Sequence, residues 1–418
     1  MKTNQTFTLH FKILLSFLSI LAYSNGYKVY SQQIIKKNPT KYIVAAYVWP
    51  SCHDEPRSRE KLWGEGIGEW EIIKKGSPRF EGHYQPRIPL WGYKMDDDPK
   101  AWEQKIGAAT SHGVNTFIFD WYWYDNKPFL EEAIDKGFLG AKNNTKMNFY
   151  LMWANHDVPG NMWNHIRYKS DSIIWNGEVD QTNFKIIVDR IINRFFKKIN
   201  YLKINNEPVF SIYSLADLLN SFGTLNEAAA ALDYFRREVK KAGFKGLHLQ
   251  LIGGDKNGEP YFRGTTEELN TVINVLGVNS VTLYNMAGST YRKEDYLRYN
   301  EGAILLRNKW DSILAVPFFP IVSVGWDNTP RYPKLGKESV IHFHNTPQSF
   351  AAYLQKAKEF ADKHPEQFRL IIINAWNEWV EGSYLEPDMK WGYGYLEAVK
   401  NVMSGKYDKY TNQILQKQ

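Results

Sequence analysis

The residues best suited to chemistry are Glu378 and Glu381, in Asn377-Glu378-Trp379-Val380-Glu381-Gly382, directly after the apolar run Leu370-Ile371-Ile372-Ile373. Two carboxylates three residues apart suit paired acid and base work, in which one group gives a proton while the other takes one. A run of β-branched residues reads as a strand buried on both faces, and the C-terminal end of such a strand is where a parallel α/β barrel keeps its chemistry. The plainer alternative is a helix N-terminus, where acidic residues in the first turn complement the helix dipole and do nothing more.

For these glutamates to meet a substrate, other elements must bring partners. Apolar runs of strand length alternate with amphipathic segments, the rhythm of βα units and a parallel sheet. Eight runs occur: Tyr42 to Val48, Val114 to Phe119, Met147 to Trp153, Pro208 to Tyr213, Leu247 to Ile252, Ser280 to Tyr284, Ala315 to Val324 and Arg369 to Ala375. Between them, Trp102, Ile106 and Ala109 after Asp98-Pro99 predict a helix with an N-cap and a proline at its first position. Phe350, Leu354, Ala357 and Phe360 predict another, and Gly113 and Gly243 fit left-handed caps before the next strands. The expectation is one (β/α)8 TIM barrel over residues 40–405, with long loops on its C-terminal face. The longest, residues 49–98, is of the length that more often works than idles. No fixed-period repeat and no break in composition calls for a second domain.

In such a barrel the residues just past each strand converge. Those positions hold Trp49 and Asp54; Asp120, Trp121, Tyr122 and Trp123; Trp153 and Asn155; Tyr213; Asp255; Tyr284; Trp326 and Asp327; and Asn377, Glu378, Trp379 and Glu381. His83 and Tyr84 join them from the long loop. Aromatic faces stack on the C–H faces of sugars, and amides and carboxylates bind hydroxyls, so an oligo- or polysaccharide is the expected ligand. The chain's 15 Trp and 26 Tyr exceed what a core usually needs. Core packing is the alternative for any single ring.

Rival motifs point elsewhere. Asn206-Glu207-Pro208 looks like the acid/base signature of many retaining barrel glycosidases, yet it precedes its apolar run, which puts Glu207 at the opposite end of the barrel. Asp96-Asp97-Asp98 is similar to the metal-binding aspartates of nucleotide-sugar transferases, but Pro99 follows at once and helix capping is the expected role. His342 and His344 read as a loop face, and the histidines lack zinc-type spacing. No phosphate-cradling glycine loop occurs, and neither a metal nor a cofactor is expected.

The formal charge of +7 is spread along the chain without a Lys/Arg cluster, so nucleic acid is not an expected partner. Residues 1–24 carry Lys2 and Lys12 and an apolar stretch from Ile13 to Tyr23, shaped like a secretory signal and too short to span a bilayer. Cleavage after Ser24, or as late as Ser31, would leave a periplasmic or extracellular protein without a membrane span. The single cysteine, Cys52, allows no intrachain disulfide. Oligomeric state is not legible.

Taken together, Gly66-Ile67-Gly68-Glu69-Trp70, Gly82-His83-Tyr84-Gln85-Pro86-Arg87, Phe119-Asp120-Trp121-Tyr122, Trp153-Ala154-Asn155, Gly325-Trp326-Asp327-Asn328-Thr329 and Asn377 to Gly382 with Glu386-Pro387 resemble the WbsX-type proteins, which are similar to glycoside hydrolase family 99, the endo-α-mannosidases and endo-α-mannanases. The resemblance spans nearly the whole mature chain. It implies a (β/α)8 barrel whose catalytic pair is Glu378 and Glu381. It also implies retention through neighbouring-group participation: Glu378 takes the proton of the substrate 2-hydroxyl, a 1,2-anhydro sugar forms, and Glu381 protonates the leaving oxygen and later activates water. The usual retaining pair instead places a nucleophilic carboxylate about 5 Å from the acid. The implied route requires O2 trans to the leaving group, as in α-mannosides or α-rhamnosides. WbsX-type proteins often carry a glycosyltransferase label; nucleotide-sugar donors are cytoplasmic, so the apparent signal favours glycan cleavage. A silent carbohydrate-binding protein is the third reading.

Overall fold

The runs rich in β-branched and aromatic residues become eight strands: β1 Ile43–Val48, β2 Thr116–Tyr124, β3 Asn148–Trp153, β4 Glu207–Ile212, β5 His248–Ile252, β6 Ser280–Thr282, β7 Ile321–Ser323 and β8 Leu370–Asn374. This is a computed structural model, and it describes residues 42–253, 266–285, 293–336 and 339–407. All neighbouring strands run parallel in the order β6-β5-β4-β3-β2-β1-β8-β7. A parallel bridge from Val281 of β6 to Phe318, ahead of β7, brings the sheet round on itself. The result is the expected parallel barrel, with strands appearing around it in chain order.

The helices of ten residues or more among the described residues are α1 Pro99–Ser111, α2 Gln181–Ile191, α3 Leu225–Lys241, α4 Thr266–Leu276, α5 Tyr296–Ile313 and α6 Pro347–Lys363 between the strands, and α7 Gly394–Met403 after β8. After β2 only a six-residue helical turn, Ala133–Phe138, takes the helix position. Asp98 caps α1 by accepting from the Lys100 N–H, with Pro99 first in the helix. Gly113 and Gly243 follow α1 and α3 with φ of +93° and +96°, a conformation glycine adopts without a Cβ penalty.

Alternate residues of the strands feed two different layers. Phe117 and Phe119 of β2 pack on Trp102 of α1, and Phe210 of β4 packs on Phe235 of α3. Each such aromatic contributes about 1.5–3 kcal/mol by leaving water. The barrel interior is more polar: Tyr150 donates to Gln250 Oε1 at 3.1 Å, and Tyr47 to the Leu283 carbonyl at 3.1 Å.

Several local expectations change. The run Ala315 to Val324 yields a strand only at Ile321–Ser323, because Pro317 and Pro320 carry no N–H for a ladder. β2 continues past Phe119 to Tyr124 and turns back in a hairpin with Lys127–Phe129. Glu207 opens β4 and pairs backward with Lys203–Ile204, at the N-terminal end of the barrel, through a turn whose Asn205 and Asn206 have φ of +55° and +64°. Asp98 alone of the three aspartates caps a helix; Asp96 is fully buried, 2.7 Å from Lys105 Nζ, which also meets Glu386 at 2.9 Å. His342 is buried in the strand Ile341–Phe343 against Tyr299, so it does not share a loop face with exposed His344. The signal-like residues 1–24 and Asp255 lie outside the described residues.

Candidate active site

The segment that carries the two glutamates is a tight β-hairpin. Asn377 pairs with Tyr384 and Glu378 with Ser383, which overturns the helix-start alternative; the next helix, α7, begins only at Gly394. Glu378 thus lies on the first arm and Glu381 in the turn. Gly382 completes the turn at φ +64°, and a Cβ there would lie 2.9 Å from the Arg87 guanidinium and 3.0 Å from Asp327 Cβ, so only glycine fits. The hairpin is tied to the barrel by Asn377, whose side-chain amide accepts from the Trp49 N–H at 2.9 Å and donates to the Trp49 carbonyl at 2.8 Å. Asn155 clips the ends of β3 and β4 in the same way, through the N–H and C=O of Ser214. Both amides are therefore committed to backbone.

Each glutamate has one oxygen fixed and one left over. Glu378 Oε1 lies 2.7 Å from the Tyr284 hydroxyl, which is also 2.9 Å from Asp120 Oδ2. Glu381 Oε1 accepts from Arg331 at 2.6 Å. Glu378 Oε2, Glu381 Oε2 and Asp120 Oδ1 are buried without a hydrogen-bond partner among the described residues. Such atoms are costly unless something else arrives to meet them.

Arg331 and Glu69 complete the site and escaped the reading of motifs. Arg331 reaches Glu69 Oε1 at 3.3 Å with its second nitrogen, so its fork spans two carboxylates. Glu69 Oε2 in turn accepts from Trp49 Nε1 and Ser51 Oγ. Glu69 sits inside the quoted Gly66 to Trp70 stretch, beside Gly68 at φ +59°, where a Cβ would fall 1.9 Å from the Ser51 carbonyl. That contact presses the long loop onto the end of β1 and carries Glu69 inward. Arg331 follows Thr329 by two residues; no spacing rule singles out a lone arginine in a loop. Trp163, also unanticipated, stands 5.1 Å from Trp49 and 5.7 Å from Tyr122, ring to ring.

Three buried carboxyls, Glu69, Glu378 and Glu381, thus gather around one guanidinium, and a fourth, Asp120, joins them through Tyr284. Burial holds Asp120 and Glu378 well above the ordinary carboxylate range, and the charge of Glu381 raises both further. Burial also raises Glu381 and Glu69, while Arg331 opposes the rise in each. Groups so placed cannot all be ionised near neutrality, and a site that retains a proton on one carboxyl while another is ionised can run acid and base chemistry together.

The remaining candidates fall into three groups. Trp49, Tyr122, Tyr213 and Tyr284 join the carboxyl cluster: Tyr122 meets Trp49 at 5.6 Å and Tyr213 meets Tyr284 at 5.8 Å. Asp327, His83 and Tyr84 buttress it, with Asp327 Oδ2 reached by His83, Gln85 and Arg87 at 2.9, 2.7 and 3.2 Å while the Asp327 N–H donates to the Glu381 carbonyl. Those contacts hold Asp327 well below the usual carboxylate range. Tyr84 lies 5.5 Å from the Arg87 guanidinium. Trp121, Trp123 and Trp153 belong to the third group: Trp121 donates to Glu131, which pairs with Arg190 of α2, it packs with Trp123 at 5.9 Å, and Trp153 meets Phe184 of α2. They occupy the outward face of β2 and β3. Trp379 likewise packs, stacked on Tyr384 at 3.8 Å and donating to Glu386. Trp326 is buried at the end of β7, with its indole N–H unpartnered among the described residues.

Barrel and acid cluster together define a parallel (β/α)8 barrel with buried carboxyls gathered at the C-terminal ends of its strands. The chain belongs to the WbsX family: residues 43–399 match the family described as Glycosyltransferase WbsX. It is 26% identical over 388 residues to a protein of Xanthomonas campestris pv. campestris (strain ATCC 33913) described as uncharacterized protein WxcX. The match takes in 92% of this chain and 53% of the relative, so the chain spans about half the length of the curated relatives it matches. Among solved structures, a glycoside hydrolase-like protein superposes with a TM-score of 0.53 at 12% identity, covering 88% of this chain and 96% of that one. The GH99 endo-alpha-mannosidase from Bacteroides thetaiotaomicron superposes with a TM-score of 0.52 at 14% identity, covering 88% and 98%. At these identities the likeness is one of fold. No helix among the described residues is long and apolar enough to cross a membrane.

Proposed function

We propose that the protein is an exported retaining glycoside hydrolase that cleaves α-linked, manno-configured polysaccharide, of mannose or rhamnose type, through a 1,2-anhydro sugar. One observation carries the reading: two buried glutamates on one hairpin each hold one oxygen fixed and keep the other uncommitted. Glu378 Oε2 takes the substrate 2-hydroxyl proton, and O2 closes on the anomeric carbon. Glu381 gives its proton to the departing oxygen and then takes one from the water that opens the ring. Two acids on one short hairpin suit neighbouring positions on one sugar better than opposite faces of it. Trp49, Tyr122, Tyr213 and Tyr284 supply ring faces and hydroxyls for the sugar.

The test is release of oligosaccharides from a panel of polysaccharides, with the first-formed anomer followed by NMR. Retention together with loss of cleavage in Glu378→Gln and Glu381→Gln supports the reading; unchanged turnover in both variants, or inversion, defeats it. The family's own description favours a second reading, sugar transfer from a nucleotide donor. Product formation that depends on a sugar nucleotide would establish it instead. Export rests on the basic and apolar residues of the first 24 positions. A mature protein that still begins at Met1 in the producing cell would refute it.

A further inference from the structure

The Tyr284 hydroxyl stands within hydrogen-bond distance of two carboxyls, 2.9 Å from Asp120 Oδ2 and 2.7 Å from Glu378 Oε1. A phenol has one proton and can donate to only one of them. If both carboxyls were ionised, the second would face a lone pair across the same short gap. One of the two must therefore carry a proton and donate it to the tyrosine oxygen. We infer that Asp120 is the resting proton store of the site: Asp120 donates to Tyr284, Tyr284 donates to Glu378, and Glu378 is thereby kept ionised inside a buried pocket.

The neighbours decide which carboxyl holds the proton. Arg331, from the loop after β7, favours the anion of Glu378, whereas among the described residues no cation relieves Asp120 and its one stabilising contact is Tyr284. The other groups facing the pair are Glu381 on the hairpin and Glu69 on the first loop, both acidic, and Tyr122 on β2, Tyr213 after β4 and Tyr47 on β1. Burial and the surrounding carboxylates keep Tyr284 itself protonated. Asp120 Oδ1 is buried without a donor among the described residues, which a neutral acid tolerates better than an anion does.

This inference rests on the proposed hydrolase for its catalytic meaning, though not for its test. A base must be ionised before it can act, yet burial works against ionisation of Glu378. Storing the proton one hydroxyl away resolves the conflict. Glu378 Oε2 stays open to the 2-hydroxyl: the substrate O–H bond breaks, an O–H bond forms at Oε2, and the freed electron pair closes the C1–O2 bond as the leaving oxygen departs with the proton from Glu381. When water opens the ring, Glu378 returns its proton to O2. Asp120 acts through Tyr284 and is a positioning residue.

Infrared difference spectroscopy of the unliganded protein near neutral pH tests the proton directly. Subtracting Asp120→Asn from wild type should reveal a carboxylic-acid carbonyl band; a difference containing only ionised-carboxylate bands overturns the inference. Should that variant fail to fold, wild type minus Tyr284→Phe should show the acid band displaced as it loses its acceptor, and an unmoved spectrum overturns the inference. In kinetics, Asn at position 120 imitates the protonated aspartic acid. Asp120→Asn should leave the acid limb of kcat/KM in place, while Tyr284→Phe moves that limb upward by about one pH unit. An acid limb that falls by about one unit or more in Asp120→Asn would mean that an anion had been removed, and the inference would fail. Absence of any glycan cleavage by wild type would defeat the hydrolase reading alone, with the infrared experiment still deciding where the proton lies.

Discussion

Arg331 joins Glu381 to Glu69: one guanidinium nitrogen lies 2.6 Å from Glu381 and another 3.3 Å from Glu69, and all three side chains are buried. The fork therefore fixes the catalytic candidate on the hairpin to the long loop after β1, and it is the cation that lets this cluster of acids exist. Arg331→Met should cost about 3–5 kcal/mol of stability, because it leaves two buried carboxyls without a counter-charge. Urea unfolding near neutral pH measures it. Arg331→Lys should recover only part of the loss, since an ammonium is a point charge and cannot span both partners.

The same cluster makes the protein strain against its own site. Folded-state Glu378 is raised well above its ordinary value, mainly by burial and then by Glu381. A carboxyl with a raised folded pKa binds more protons in the folded than in the unfolded state, so stability falls as pH rises from the unfolded value through the folded one. The penalty is complete above the folded value and absent below the unfolded value. Glu378→Gln should therefore melt at a higher temperature than wild type at neutral and mildly alkaline pH, with the gain fading towards about pH 4. Scanning calorimetry across that range checks it; a gain that persists undiminished in acid would argue for a packing effect.

Much of this arrangement was legible in the chain. Buried strands announce themselves as β-branched runs, and each of the eight expected runs overlaps its strand; β2 overruns its run as far as Tyr124, β4 begins one residue early at Glu207, and the run at Ala315 shrank because two prolines interrupt it. The strand-end rule predicts that Asp120, Tyr284 and Glu378 meet, as they do. It could not say which way each side chain points. Trp121 and Trp123 sit next to Asp120 and Tyr122 in sequence, yet alternation sends them outward. Arg331 and Glu69 were illegible for another reason: their meaning lies in a contact between loops 262 residues apart, which neither periodicity nor composition encodes.

Asp327 is the reverse of Glu378 in its response to pH. His83, Arg87 and Thr329 hold its carboxylate well below the usual range. Its stabilisation is present above the unfolded value of about 3.9 and is lost as pH falls through the folded one. Asp327→Asn should cost about 3–5 kcal/mol at neutral pH by stranding Arg87, which is buried. The difference from wild type should narrow in strong acid. Denaturant titrations at both pH values read it, and an equal deficit at both would show that charge is not the cause.

Gly382 offers a purely steric prediction. Its φ of +64° and the 2.9 and 3.0 Å approaches of Arg87 and Asp327 leave no room for a Cβ. Gly382→Ala should lose about 1–3 kcal/mol from the strained backbone and shifted neighbours, and should lower activity by displacing Glu381. Crystallography or hydrogen exchange of the hairpin would register the displacement.

Trp153 and Tyr122 separate packing from recognition. Trp153 ends β3 against Phe184 of α2, on the helical side of the sheet, while Tyr122 faces Trp49 and the acid cluster. Trp153→Phe removes buried ring area and should lower the melting temperature, yet leave KM for an oligosaccharide within about twofold of wild type, because no ring face presented to substrate is lost. Tyr122→Ala removes a ring from the cluster itself and should raise KM or lower kcat by about tenfold or more, in keeping with about 1–3 kcal/mol for a lost aromatic contact. Measuring both constants for the two variants distinguishes the roles. A large KM effect in Trp153→Phe, with Tyr122→Ala unaffected, would place the substrate on the opposite face of the sheet.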